Sequence, residues 1–393
     1  MRIIIILLLL IAGCSEKKED YSYTLMPENN KEHESVYNLL YQPLIENKVI
    51  NLNKSIAFQY LPLLGRADLA AKKFEKFYAV HPCPDTGISG GDVLKHIIEQ
   101  ARRTSVVIIN EGHDKPYERA FVEALARGLK PLGYDYFAAE TFTNGWDVLD
   151  VRNFKDEAFI RSKSGFYSND PIFGREIRTI KALGYELVPY EQAWPDNQDM
   201  SGTPTERQSR REEAQANNLV NTIFNKNKNA KVLIHAGGGH SNETPQSFGG
   251  EAVATMAMRL KQKLGIDPLT INQFSCRGGA DTVRLSGHPE KAGAAAYDLY
   301  IDHPLIVFKA GRPTWRRENG EKDILIPPAF LGKDEPVIVD AHYADEPYDA
   351  VPVDRILLGP GEALPLILLP GHYKVTAITK TDVLPEAYDL VVH

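Results

Sequence analysis

The chain has 393 residues, of which 45 are Lys or Arg and 52 are Asp or Glu, for a net charge of −7. Acidic and basic residues are interspersed, and the small basic pairs Arg210-Arg211 and Arg316-Arg317 read as solvated faces, so nothing in the charge pattern calls for a nucleic-acid partner. At roughly 100–200 residues per domain the length suggests two or three units.

The first residues, Met1-Arg2 followed by an apolar run to Ile11 and then Ala12-Gly13-Cys14, read as a signal peptide over 1–14. The apolar run is too short to span a bilayer as a helix. Ile11-Ala12-Gly13-Cys14 resembles the bacterial lipobox, which implies cleavage before Cys14 and acylation of its thiol. The expected product is a lipoprotein of the bacterial cell envelope, held at a membrane by its lipid. Ser15 in place of an aspartate favours the outer membrane over the inner one. Residues 15–34 are polar and charged, a composition expected of a tether. No other run is long enough to cross a membrane, since the stretch around Leu364 to Leu369 is broken by Pro365 and Pro370.

Residues 35–100 are expected to form a helical segment, with Ala70, Phe74, Phe77 and Tyr78 on one face. From 101 to 278 apolar strands alternate with amphipathic helices. The strands are expected at 106–109, 135–139, 186–190, 231–235 and 269–271, and the helices at 117–129, 173–183, 206–224 and 252–264. Continuous apolar strands in alternation with helices predict an α/β domain, a predominantly parallel sheet covered by helices on both faces. From 279 to 393 the helical period is lost. Short strands such as 305–308, 337–339 and 373–377, separated by Pro and Gly, predict a C-terminal β subdomain. Its His303, His342 and His372 are expected at the surface. Beyond Cys14 only Cys83 and Cys276 remain, and the sequence leaves open whether they pair or stay as buried thiols.

Four of the predicted strands end in residues that bind ions or move protons: Glu111-Gly112-His113-Asp114, Glu140, Glu191, and His235-Ala236-Gly237-Gly238-Gly239-His240. In open α/β sheets ligands bind outside the carboxyl ends of the strands. Glu111 and His113, two apart, can point the same way from an extended segment. Glu111, His113, Glu140 and His240 are therefore candidate ligands of a divalent metal such as Zn, Mn, Co or Fe, with Glu191 as a supporting carboxylate.

The run Ile109-Asn110-Glu111-Gly112-His113-Asp114-Lys115-Pro116 resembles the signature of the ChaN-like family, within the wider Tiki, TraB and erythromycin-esterase superfamily. Phe137-Ala138-Ala139-Glu140, the segment 184–191 ending in Glu191, and Ala236-Gly237-Gly238-Gly239-His240 are similar to its later elements, in order. Arg211 and Asn218 fall where relatives carry an Arg and an Asn. Asn110 stands in place of the usual glycine, and Ser241-Asn242 replaces an apolar residue. The resemblance covers about 105–273 and implies one of two activities. The first is a metal-dependent or His/Glu-dependent hydrolase of a small molecule or peptide, with Glu111, His113, Glu191 and Arg211 in catalytic roles and Arg211 neutralising an anionic intermediate. The second is haem binding in iron uptake, with iron held by His113, Tyr117 or His235. A non-catalytic scaffold is a third reading.

Overall fold

The computed structural model describes residues 20–25, 54–145, 150–193, 195–289, 296–332, 334–379 and 383–393. The signal, the lipobox and Cys14 lie outside the described residues. Among the described residues no helix is long and apolar enough to cross a membrane.

An eight-stranded sheet forms the centre. In chain order its elements are β1 (Asp85–Ser89), α1 (Gly91–Ala101), β2 (Val106–Glu111), α2 (Pro116–Leu129), β3 (Tyr136–Ala139), α3 (Pro171–Ala182) and β4 (Glu186–Pro189). They continue with α4 (Pro204–Leu219), β5 (Val232–Gly237), α5 (Met256–Leu264), β6 (Leu269–Arg277), β7 (Arg284–Ser286) and β8 (Leu299–His303). The strand order is β1-β7-β8-β6-β2-β5-β3-β4. Every ladder from β8 across to β4 is parallel, whereas β7 against β8 and β1 against β7 are antiparallel. The fold is thus mixed α/β with a mostly parallel core.

The alternation of side chains along a strand explains why both faces are apolar. Val107, Ile109, Phe137 and Leu233 pack on one face against Ile97, Phe121, Leu125 and Ile177 from α1, α2 and α3. Val106, Ile108, Ala138, Val188 and Ile234 pack on the other against Ala216, Leu219, Met256 and Leu260 from α4 and α5. After β4 the chain returns through α4 and inserts β5 between β2 and β3. That return opens a crevice at the carboxyl ends of β2, β5 and β3.

A second, five-stranded antiparallel sheet carries the C-terminal β unit: β9 (Val337–Tyr343), β10 (Asp354–Leu358), β11 (Gly371–Ile378) and β12 (Val383–Val392), with Tyr21–Leu25 along β12 at its edge. Its core is Val339, Ile356, Leu358, Val375 and Leu390.

Several expected boundaries move. Tyr21–Leu25, inside the expected tether, is a strand, because Tyr21 and Tyr23 alternate with smaller polar residues and find a partner at the far end of the chain. Of the segment expected to be helical, Lys54–Leu63, Ala67–Lys73, Glu75–Tyr78 and α1 are helices, whereas Asp85–Ser89 joins the edge of the large sheet. The large sheet also runs past residue 278 to take in β7 and β8. The helix expected from 252 begins at Met256, since Glu251–Val253 pairs with Gln246–Phe248 and Thr255 caps the helix. Of 305–308 only Phe308 is in a strand, paired with Pro313. His303 and His342 are buried rather than at the surface, and Arg316 is buried against Asp354 instead of solvated. Cys83 and Cys276 form a disulfide with Cα atoms 5.5 Å apart, joining the segment before β1 to β6.

Candidate functional site

Glu111 is the last residue of β2 and is buried. Its Oε2 accepts a hydrogen bond from Arg119 Nε at 2.6 Å and its Oε1 accepts one from Arg119 Nη2 at 3.0 Å. Arg119 rises one turn into α2, a helix started by Pro116 at its first turn. Its third nitrogen, Nη1, lies 3.4 Å from Asp170 Oδ2. Asp170 in turn caps α3, its Oδ1 accepting from the Ile172 and Phe173 N–H groups. Burial alone would raise the Glu111 pKa, but Arg119 and His235 outweigh it and hold the carboxyl well below its usual range.

The ionised Glu111 orients His113. His113 Nδ1 lies 2.9 Å from Glu111 Oε1. A carboxylate only accepts hydrogen bonds, so Nδ1 carries the proton, and in the neutral ring Nε2 is the free lone pair. The ring stacks on Tyr167, centroids 3.6 Å apart and planes 11° off parallel. Nε2 faces Gly237 at the end of β5, where a Cβ would lie 2.7 Å from Nε2 and 2.5 Å from Cε1. Only glycine leaves room there for the imidazole.

Glu140, just beyond β3, stands across the crevice. Its Oε2 accepts from the Gly237 N–H at 2.5 Å, and its Oε1 accepts from Arg211 Nη2 at 2.6 Å. His240 Nε2 lies 3.5 Å from Glu140 Oε1, and His240 Nδ1 lies 2.8 Å from Glu212 Oε1. Burial opposes a charge on His240, but Glu140 and Glu212 prevail and raise its pKa. Burial likewise opposes the Glu140 charge, and His240 and Arg211 outweigh it and lower its pKa. Two imidazoles, each backed by a carboxylate, therefore flank one ionised glutamate.

Arg211 belongs to α4, which a Thr203–Glu206 capping box and Pro204 start firmly. Arg211, Gln215 and Asn218 share a helix face. Arg211 Nε and Nη2 donate to Glu191 at 3.0 and 2.5 Å, Gln215 Nε2 donates to the same carboxylate at 3.0 Å, and Asn218 Nδ2 donates to the Glu191 carbonyl at 2.9 Å. Glu191 thus acts as a brace for Arg211 and does not line the crevice. The crevice, about 470 Å³, is lined by Glu111, His113, Lys115, Glu140, Tyr167, Arg211 and Gly237 to His240, among others.

All four residues expected as metal ligands reach this crevice, but the oxygens of the two glutamates are already engaged. Both oxygens of Glu111 serve Arg119, and those of Glu140 serve Arg211 and a backbone N–H. Among the described residues no group of three or more His, Cys, Asp or Glu is placed to hold a metal ion. A divalent cation does not fit this donor set. The haem ligands fit no better. His235 is buried, its Nδ1 3.1 Å from Glu176 Oε1 and its Nε2 3.3 Å from Glu111 Oε2. Tyr117 lies outside the crevice, edge-on to His303. Of the three only His113 is open to the crevice.

Arg119, Tyr167, Glu176 and Glu212 were not anticipated. Arg211, Gln215 and Asn218 at helical spacing could have been read as one face, and Glu212 with Gln208 as its neighbour. Arg119 and Glu176 carried no such signal. Tyr167 sits on the segment 160–169, which the C-terminal β unit grips. The Ser162 N–H donates to the Asp349 carbonyl at 2.7 Å, the Val351 N–H donates to the Ile160 carbonyl at 2.9 Å, and Arg355 Nη1 donates to the Asn169 carbonyl at 3.1 Å.

No protein-family profile and no curated protein matches the chain. Solved structures share a distant likeness of fold. The type III effector HopBA1 is 14% identical, over 57% of this chain and 96% of that one, with a TM-score of 0.37. The RRSP effector domain of a MARTX toxin from Vibrio vulnificus CMCP6 is 16% identical over 46% of this chain, which spans only 36% of that domain, with a TM-score of 0.34. ChaN of Campylobacter jejuni, described with cofacial heme binding, is 10% identical over 53% of this chain and 90% of that one, with a TM-score of 0.33.

Proposed function

We propose that the chain is an envelope lipoprotein, anchored through Cys14, whose crevice hydrolyses an ester or amide bond of a small molecule or peptide by acid–base chemistry. The observation that carries the hydrolytic reading is the tautomer imposed on His113: Nδ1–H donates to the Glu111 carboxylate, which leaves Nε2 as a base facing the crevice. In this reading His113 Nε2 removes a proton from a water that attacks the substrate carbonyl. His240, whose raised pKa favours the imidazolium, gives a proton to the leaving group. Arg211 stabilises the oxyanion from the same wall, and Glu140 sets the spacing between the two imidazoles.

The test is a cycle of His113→Ala, His240→Ala and the double variant, assayed on a panel of nitrophenyl esters and unstructured peptides. Each single change is expected to lower kcat by about 10²–10⁴. The double variant should be little worse than either, because the two act in one step. Multiplicative losses would assign them to separate tasks, and unchanged rates would remove the hydrolytic reading.

A further inference from the structure

A second cleft of about 510 Å³ shares no lining residue with the first. One wall is a face of α2, where Tyr117, Phe121 and Ala124 follow helical spacing. The other is formed by the segment after β8 and by Trp315. Leu305 and Val307 stand 42% and 61% exposed at its rim, an unusual outlay of large apolar side chains for solvent.

The cleft also holds a polar anchor. His303 is 5% exposed, and its Nε2 lies 3.1 Å from Gln273 Oε1. Gln273 spends its Nε2 on the Asn110 and Glu118 carbonyls, which fixes its oxygen toward His303 and makes His303 Nε2 the donor. Burial, with Lys115 nearby, pushes the His303 pKa down to about 3, so the ring is neutral. Nδ1 is then a bare acceptor, without a hydrogen-bonding partner among the described residues. Asp281 and Glu318 also line the cleft, are exposed, and have no ion-pair partner among the described residues.

An apolar slot, a lone-pair acceptor and two uncompensated carboxylates together select a ligand with a hydrocarbon or aromatic body and a positive, hydrogen-bond-donating head. We infer that the cleft is a binding site for a small apolar amine. Its body packs on Phe121, Leu305 and Trp315, and its ammonium group is drawn by Asp281 and Glu318 and finds an acceptor in His303. An aromatic ring beside the head group adds cation–π attraction. The site is independent of the hydrolytic reading, since none of its lining residues is used there.

The test is calorimetric titration of the purified full-length chain with 3-phenylpropylamine and with 3-phenylpropanoate, which share a body and differ in the sign of the head. The amine is expected to bind at least about tenfold more tightly. Asp281→Asn with Glu318→Gln should remove most of that preference while circular dichroism stays unchanged. Ala120→Phe, which fills the slot from α2, should abolish binding of the amine. Three results would each overturn the proposal: equal or tighter binding of the carboxylate, no amine binding at millimolar concentration, or amine binding that survives Ala120→Phe.

Discussion

Arg119 meets Glu111 with two nitrogens, at 2.6 and 3.0 Å, and it does so where neither side chain touches solvent appreciably. A charge buried this deeply is tolerated only with its partner in place. Arg119→Met is therefore expected to destabilise the fold by roughly 3–5 kcal/mol, because it removes the bidentate partner of the buried Glu111 charge and the guanidinium facing Asp170, leaving Glu111 only His235 and the His113 N–H. Denaturant unfolding checks the value. A loss below about 1 kcal/mol would show that Glu111 finds another partner or takes up a proton at little cost.

Behind Glu111, His235 and Glu176 form a second buried pair whose consequence is a pH slope. Burial disfavours the His235 cation, but Glu176 and Glu111 outweigh it and raise its pKa from 6.5 to about 10. Folded His235 holds its proton more tightly than the unfolded chain does. Its contribution is complete below about pH 6.5 and is lost as pH rises toward 10. Glu176, raised by burial to about 7, also binds its proton more tightly when folded and runs in the same direction. The urea midpoint should fall from about pH 4.5 to 7 through Glu176 and on from about pH 6.5 to 10 through His235, and Glu176→Gln should make the fall shallower. Identical slopes in the two proteins would contradict the pairing.

Tyr167 is expected to act on His113 through the stacked ring and not through its hydroxyl. Tyr167→Phe should keep kcat within about twofold, and Tyr167→Ala should lower it by about tenfold or more with little change in KM, as expected when a catalytic group loses its alignment. The His113 ring-proton resonances give a readout separate from turnover. Their ring-current shift should survive in the Phe variant and vanish in the Ala variant. Persistence of the shift in Tyr167→Ala would place the stack elsewhere.

What the sequence made legible was local. β2, β3 and β5 announce themselves as short apolar runs, and Glu111, Glu140 and His240 follow from their place at or just beyond the carboxyl ends of those runs. The roles were harder. A Glu beside a His reads as a metal site until Arg119 is known to face it, and that pairing depends on how α2 folds back over β2. Glu212, reaching His240 from α4, and Glu176, reaching His235 from α3, are likewise set by packing between distant segments. Tyr21–Leu25 was hidden because its partner, β12, lies at the opposite end of the chain.

In the proposed reaction the crevice works by imidazole and guanidinium groups whose carboxylates are already engaged. The most direct measurement is the hydrolysis rate of the chain after exhaustive dialysis against a chelator, beside that of His113→Ala. The rate is expected to be unchanged on dialysis, not stimulated by added zinc, manganese, cobalt or iron, and lost in His113→Ala. A rate abolished by the chelator and restored by one of those metals would contradict the proposed reaction.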